Sequence, residues 1–106
     1  MGLPEMTDEQ RAAALAKAAE ARRARAEMKE LLSTGSLTLR EVFEQADDDE
    51  IIAGTKIYPV IVALPGMGKV TSKRLLEEHG ISETRRIRGL GSRQRELLLE
   101  LLDDRG

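Results

Sequence analysis

A chain of 106 residues without cysteine suits a single domain that depends neither on disulfides nor on a thiolate zinc site. Its charged fraction of 34% is high for a globular domain, and an aromatic fraction of 2% leaves Leu, Ile and Val to form the core. No apolar run approaches the ~20 residues of a membrane span, and the N-terminus lacks the apolar segment of an export signal. We therefore expect a cytoplasmic protein with no membrane partner.

The net charge of −2 conceals an uneven distribution. Residues 1–53 carry 7 basic and 12 acidic groups, residues 54–95 carry 9 and 3, and residues 96–106 carry 1 and 4. The middle of the chain is therefore +6, between ends of −5 and −3. Such a block is typical of an anion-binding face, or of a solvated face balanced by neighbouring carboxylates, and charge alone does not separate the two.

The first predicted element is a long helix that opens at a capping box. Thr7 and Gln10 have the spacing that lets each side chain bond the other's backbone. Helix-forming residues follow for about 25 positions, and Gly35 supplies the stop. Only the last turns offer a packing patch larger than alanine: Met28, Leu31 and Leu32. We expect residues 1–34 to form a helix whose early turns project from a compact helical domain, residues 35–106, within one folding unit.

Two short helices are predicted next. A second capping box at Thr38 and Glu41 opens a helix with four apolar residues on one side: Leu39, Val42, Phe43 and Ala46. The run Asp47–Glu50 is interpreted as a solvated acidic loop, because it lacks the spaced ligands and the glycine of a calcium site, and we expect no metal. Residues 57–64 suit a buried strand or a helix. Helix is favoured, because no partner strand is visible and Pro59 suits a first helical turn.

Residues 65–68, Pro-Gly-Met-Gly, are predicted to form a turn before a helix that runs to His79, with Gly80 as its left-handed cap. Glycine lets a backbone approach a phosphate closely, and a helix N-terminus adds free N–H groups and a favourable dipole. The candidate phosphate contacts here are Gly66, Met67, Gly68 and Lys69. Lys73, one turn later, is a further candidate. The spacing fits neither a nucleotide-binding P-loop nor a dinucleotide fingerprint, and the alternative is an ordinary turn between helices.

A second candidate site is the basic loop, in which Arg85, Arg86 and Arg88 lie between glycine turns. Three arginines so close together repel one another unless an anion is near. If the turn is helical, Arg85 and Arg88 share a face, Arg86 points elsewhere, and Ile87 anchors the turn in the core. The alternative is a solubilising loop whose arginines pair with nearby carboxylates: Glu77, Glu78 or Glu83.

Ser92 is predicted to cap a last helix that turns four leucines toward the core: Leu97, Leu98, Leu101 and Leu102. Ser92 and Arg93 join the candidate phosphate contacts. Enzymatic chemistry finds little support, because the only histidine, His79, lies at a helix end where capping is the simpler role. No Ser or Thr has an activating base beside it. We expect neither enzymatic activity nor a cofactor.

The first helix carries a basic stripe. At about 100° per residue, four of its basic residues fall within an arc of about 60°: Arg11, Arg22, Arg25 and Lys29. Glu20 and Glu27 lie nearly opposite. The stripe is a candidate secondary DNA contact, and the alternative is a helix with mixed surface charges.

Five segments together resemble the actinobacterial integration host factor family. They are Thr7-Asp-Glu-Gln-Arg-Ala-Ala-Ala-Leu, Ala21-Arg-Arg-Ala-Arg-Ala-Glu, Leu64-Pro-Gly-Met-Gly-Lys-Val, Gly80-Ile-Ser-Glu and Arg85-Arg-Ile-Arg-Gly-Leu-Gly. The resemblance implies an all-α protein with a long N-terminal helix and a helix-two-turns-helix DNA-binding module. Carried over onto this chain, the family's turn motif and basic block are matched by Gly66, Gly68, Lys69, Arg85, Arg86 and Arg88.

The resemblance also implies a nucleoid-associated protein that binds double-stranded DNA with little sequence preference and assists phage integrase at attachment sites. We expect phosphates to be gripped by both motifs, one arginine to enter the minor groove, and the protein to be a monomer in solution. The alternatives are an RNA- or ribosome-binding helical module and a protein–protein adaptor. The chain departs from the family at four places outside the DNA motif: Pro59 with Val62, the acidic run, Arg93 and Arg95.

Overall fold

The computed structural model describes residues 6–102, and apart from one isolated β-bridge their regular structure is helical. Within these residues six α-helices follow in chain order: α1 (Asp8–Thr34), α2 (Leu39–Ala46), α3 (Glu50–Ala53), α4 (Ile57–Ala63), α5 (Lys69–Glu78) and α6 (Ser92–Leu102). A single 3₁₀ turn, Ile87–Gly89, lies between α5 and α6. The predicted all-α fold is confirmed.

The capping box of α1 is present as predicted. Thr7 Oγ1 accepts the Gln10 N–H at 3.1 Å, and the Gln10 side chain accepts the Thr7 N–H at 2.9 Å. Gly35, at φ 81°, ends the helix in a left-handed conformation that costs glycine nothing. All side chains of residues 6–18 are exposed, and the molecule extends over 49 Å in its longest direction. The early turns of α1 therefore project from the core.

The last turns of α1 pack as a narrower patch than predicted. Met28 and Leu32 are buried, but Leu31 is 38% exposed. The prediction for Leu31 was wrong because about 100° separates it from Leu32 around the helix, which turns it away from the core.

The helix α2 forms as predicted, with Thr38 and Glu41 closing the second capping box and its four apolar residues buried. The acidic run differs from the prediction. The carboxylate of Asp49 accepts the N–H groups of Ile51 and Ile52, at 2.9 and 3.3 Å, and so caps the single-turn helix α3, which Glu50 begins. Sequence periodicity cannot detect a helix of four residues, so Glu50 was wrongly placed in the loop, whereas Asp47, Asp48 and the capping Asp49 lie outside the helices.

The helix α4 confirms the helical interpretation of residues 57–64, with Pro59 in its first turn. Its Ile57, Val60 and Ile61 are fully buried at the centre of the core. Before α4, the chain forms a pairing that the sequence did not predict. Lys56 bridges Arg86 in antiparallel fashion.

Glycines lie just outside the end of α5 and the start of α6. The helix α5 stops at Glu78, and Gly80 (φ 68°) lets the Ile81 N–H bond the Leu76 carbonyl at 2.9 Å while Ile81 packs into the core. The helix α6 starts at Ser92 itself, so Ser92 is its first residue and not its cap. The Gln94 side chain instead accepts the preceding Gly91 N–H at 3.0 Å. Two of its four predicted core leucines, Leu98 and Leu102, are buried.

Candidate nucleic-acid interface

Three arginines from two parts of the chain converge on Gly54. An ideal Cβ placed on Gly54 would lie 3.8 Å from Arg25 Nη2 and 3.9 Å from Arg88 Nη2, and the Arg86 guanidinium donates to the Gly54 carbonyl. These residues line an open cleft of about 420 Å³ between α1 and the basic loop. We call it the arginine cleft. It brings together guanidinium groups that the sequence assigned to separate motifs.

Backbone pairing fixes the basic loop in place. The Ile87 N–H bonds the Thr55 carbonyl at 2.9 Å, and the Ile57 N–H bonds the Arg85 carbonyl at 2.8 Å. Ile87 is fully buried, as the sequence predicted. The loop is therefore tied to the start of α4 on both sides of Arg86.

The arginines do not divide between faces as predicted. The 3₁₀ turn begins only at Ile87, so Arg85 and Arg88 are not related by a helical turn. Arg85 folds back and donates to the Gly89 carbonyl at 2.9 Å, while Arg86 and Arg88 line the arginine cleft together. Arg86 and Arg88 are therefore the two arginines of the basic loop that lie together in one site.

The arginine cleft is not neutralised by carboxylates. Glu20 and Glu50 also line it, but among residues 6–102 neither forms an ion pair with an arginine of the cleft. The same is true of the carboxylates that would pair with the arginines of a solubilising loop, which are Glu77, Glu78 and Glu83. The guanidinium groups of Arg25, Arg86 and Arg88 thus keep donors available in a confined space. Such a concentration of positive charge attracts an anion.

The glycine turn exposes the N-terminus of α5. Gly66 adopts φ 78°, whereas Gly68 is extended at φ −114° and occupies the N-cap, which has no side-chain hydrogen bond. The first helical bond runs from Ser72 N–H to the Gly68 carbonyl, so the N–H groups of residues 69–71 are open, and the space beside Gly68 is empty to 4 Å. The turn has the features of an anion-binding helix end.

The other candidates near this turn have different surroundings. Met67 is buried, and its N–H bonds the Leu64 carbonyl at 3.1 Å, so its side chain holds the turn and does not face solvent. Tyr58 supports the turn by donating to the Lys69 carbonyl at 3.2 Å. Lys73 lies 3.9 Å from Glu83, with more than half of its side chain exposed.

The two sites stand at opposite ends of α4. The basic loop is bonded to the residues that open α4, and the glycine turn follows directly after its end. A helix of seven residues is about 10 Å long, which sets the order of the distance between the sites. Lys29 and Lys69 border a shallow groove beside α4, and Pro59 lines both that groove and the recess around Arg86. The sites therefore form one basic face.

The stripe predicted on α1 is divided in the structure. Arg25 turns inward, where its Nε donates to Thr55 Oγ1 at 3.3 Å, and Lys29 borders the groove beside α4. Arg11 and Arg22 stay exposed on the projecting turns. Glu20, placed opposite the stripe by the helical wheel, lines the arginine cleft from its other edge.

Sequence reasoning missed three residues of this face. Lys17 lines the arginine cleft, Lys56 lines the recess beside Arg86, and Gly54 forms the floor of both. Lys17 lies about 80° from Arg25 on the helical wheel, outside the predicted arc. Gly54 carried no visible signal, because its role arises only where the basic loop folds against it.

The start of α6 contains two candidates that face solvent and one residue with a structural role. Arg93 is exposed, as is Ser92. Arg95 points back into the fold: it donates to the Ile87 carbonyl at 3.2 Å, and its side chain is 24% exposed.

Residues 6–102 contain no grouping of His, Asp and Glu able to hold a metal ion. The same stretch has no helix that is both long enough and apolar enough to cross a membrane.

Comparison with known proteins identifies the fold. Residues 32–102 match the family model of the S13-like H2TH domain. A solved structure, described as sIHF bound to an 8-bp palindromic DNA, matches with a TM-score of 0.78 and 44% identity over 81% of this chain and 97% of that chain. The chain is therefore a protein built on a helix-two-turns-helix domain.

Sequence relatives identify the family of this helix-two-turns-helix protein. Integration host factor of Mycolicibacterium smegmatis is 52% identical over 97% of this chain and 98% of its own length. Integration host factor of Mycobacterium tuberculosis is 52% identical over 94% and 95%, and that of Streptomyces coelicolor 51% over 89% and 88%. The chain belongs to this integration host factor family, which confirms the resemblance found in its motifs.

Proposed function

We propose that this protein binds double-stranded DNA through the phosphate backbone, with low sequence specificity. The observation that carries the proposal is the convergence of Arg25, Arg86 and Arg88 around Gly54, with no carboxylate of residues 6–102 in ion-pair contact. Arginine offers a planar fork of N–H donors that suits phosphate oxygens. A bound phosphate relieves the repulsion among three cations, so an anion completes the site.

The glycine turn supplies the second phosphate site. Open N–H groups at residues 69–71 and the dipole of α5 favour a negative charge beside Gly68, where no side chain blocks the approach. Lys69 places a charge at the same helix end, and Lys73 adds one a turn later. Backbone donors bind phosphate regardless of base sequence, which agrees with low specificity.

The spacing of the two sites suits a minor groove. Sites about 10 Å apart match phosphates on the two strands that border a groove about 6 Å wide, once the size of the phosphates is added. We propose that the basic face lies across such a groove, with one arginine of the basic loop inserted into it. Few base-specific contacts are available there, because the donors and acceptors in the minor groove mainly distinguish A·T from G·C pairs.

The projecting helix extends this face. Arg11 and Arg22 lie exposed on turns that the core does not hold, and DNA running along α1 from the arginine cleft would order them. Ser92 and Arg93, at the start of α6, provide further contacts close to the basic loop. We assign these residues to secondary phosphate contacts.

Membership of the family supports a proposal for the biological role. Relatives of this chain are named integration host factors, and a structural relative was solved with DNA bound. We propose that this protein acts in the nucleoid, shapes DNA, and assists integrase-mediated site-specific recombination as a monomer that meets the integrase on DNA. Low specificity suits an architectural role that does not require a fixed operator.

Competition binding tests the proposal. A labelled duplex is displaced by an unlabelled duplex, a structured RNA or a single strand of equal length, at constant salt. We expect the duplex to compete best, because the chain has few aromatic side chains for stacking unpaired bases. Stronger competition by the structured RNA would show that the two phosphate sites serve an RNA-binding module instead.

A further inference from the structure

Arg95 makes three contacts that together resemble a clamp. Its Nη2 donates to the Ile87 carbonyl at 3.2 Å, its Nη1 lies 3.5 Å from Asp47 Oδ1, and its guanidinium carbon stands 5.6 Å from the centre of the Phe43 ring. Only 24% of the side chain is exposed. These contacts join α6 and α2 to the middle of the basic loop.

The clamp contacts the basic loop at the Ile87 carbonyl, between the two arginines that line the cleft. Ile87 lies between Arg86 and Arg88, so the direction of its peptide sets where both guanidinium groups point. The same carbonyl accepts the Leu90 N–H at 3.1 Å, which closes the 3₁₀ turn. An arginine suits this task because its fork reaches two acceptors while its plane lies on an aromatic ring.

From this geometry we propose that Arg95 is a positioning residue for DNA binding, acting through Ile87 and not through a phosphate of its own. The inference rests on the proposed function. The guanidinium donors of Arg95 are already directed at protein oxygens, and the charge of Arg95 is partly balanced by Asp47. Loss of the clamp leaves every phosphate-contacting group present but less often in the binding arrangement.

The consequence differs from that of losing a phosphate contact. If the binding arrangement of the loop falls to about a tenth of the population, the apparent Kd rises about tenfold. The slope of log affinity against log salt stays unchanged, because that slope counts neutralised phosphates. Loss of one real phosphate contact instead flattens the slope by about 0.9.

The experiment measures duplex affinity and salt slope for Arg95→Ala, Arg95→Lys and Arg86→Ala beside the wild type, at a temperature where melting curves show each to be folded. We expect both Arg95 variants to weaken binding about tenfold at wild-type slope. Lysine keeps the charge but cannot reach both acceptors. Faster amide exchange at Ile87 and Leu90 in the free Arg95→Lys protein should accompany the loss.

Two results would overturn the inference alone. One is wild-type affinity in folded Arg95→Lys. The other is a flattened slope in Arg95→Ala that Arg95→Lys restores, which would make Arg95 a direct phosphate contact. A wild-type protein without salt-dependent duplex binding would refute the proposed function, and the inference with it.

A matched pair of acidic variants provides a second check. Asp47 contacts Arg95, whereas its neighbour Asp48 does not. Removing either charge by alanine makes the protein less acidic, which alone favours DNA binding. We expect Asp48→Ala to tighten binding slightly and Asp47→Ala to weaken it. In a double-mutant cycle, Asp47→Ala should be non-additive with Arg95→Ala and Asp48→Ala additive. Equal effects of the two aspartate variants would contradict the clamp.

Discussion

The guanidinium groups of Arg25 on α1 and Arg88 on the basic loop both approach within 4 Å of the position that a Cβ on Gly54 would occupy. Neither residue is near the other in sequence, and no carboxylate forms an ion pair with either among residues 6–102. The first helix and the basic loop therefore contribute to one site. This relationship makes Gly54 a sensitive probe of the proposed interface.

Gly54→Ala should weaken duplex binding about tenfold, comparable to the loss of one hydrogen bond between charged groups. The new methyl group would stand 3.1 Å from the Glu50 carbonyl and against both arginines, so the floor of the cleft must shift. Filter binding or fluorescence anisotropy measures the effect, with a melting curve to show that the variant is folded. Unchanged affinity in the folded variant would mean that the arginines act separately.

The two glycines of the turn should respond differently to substitution. Gly68 is extended with open space beside it, so Gly68→Val should lower stability by at most about 1 kcal/mol as a poorer N-cap residue but lose affinity, because the side chain blocks phosphate approach. Gly66 has φ 78°, so Gly66→Ala should destabilise the fold by about 1–2 kcal/mol. Denaturant unfolding and duplex titration of both variants separate the effects.

The charge control for this site is Lys69→Gln. If backbone donors dominate, Gly68→Val should weaken binding more than Lys69→Gln does. The reverse order would assign the site to the lysine side chain.

Much of the fold followed from the sequence because its signals are local. Both capping boxes formed, and the left-handed cap at Gly80 brought Ile81 into the core. Short elements were not predicted, because the four-residue helix α3 that Asp49 caps is too short to leave a periodic pattern. Ser92 was misassigned by one residue, because the first helical bond runs from the Arg95 N–H to the Gly91 carbonyl and so places Gly91 before the helix.

The candidate site was only partly predictable. The types of residue that bind phosphate were visible in the glycine turn and the basic loop, but their partners were not. Arg25 joins Arg86 only through the packing of α1 beside Gly54, and the clamp at Arg95 depends on contacts with α2. Such long-range relations arise from tertiary packing, which spacing along one chain cannot express.

Ile87 anchors the basic loop, and its truncation should cost stability. Ile87→Ala removes a fully buried side chain, and we expect the free energy of unfolding to fall by about 2–5 kcal/mol. Thermal or urea unfolding measures the loss. A change below about 1 kcal/mol would contradict the anchoring role assigned to this residue.

The early turns of α1 should exchange their amide hydrogens quickly in the free protein and slowly when duplex is bound. Residues 8–18 are exposed and make few tertiary contacts, so only a partner can hold them. Hydrogen–deuterium exchange with and without saturating duplex tests this, and equal exchange in both states would confine binding to the basic face.

A charge reversal isolates the contribution of this helix. Arg11→Glu combined with Arg22→Glu should abolish the protection and weaken affinity. These positions are preferable to Arg25, because Arg25 also belongs to the arginine cleft. Protection that survives the double change would show that the helix is ordered by something other than its basic stripe.

The salt dependence of duplex affinity, measured for the wild type and for the combined change of Arg85, Arg86 and Arg88 to alanine, tests the central claim most directly. We predict that the triple variant stays folded, loses most of its duplex affinity, and shows a slope of log affinity against log salt that is flatter by about 2–3 units. An unchanged slope in the folded triple variant would contradict the assignment of the basic loop to phosphate binding.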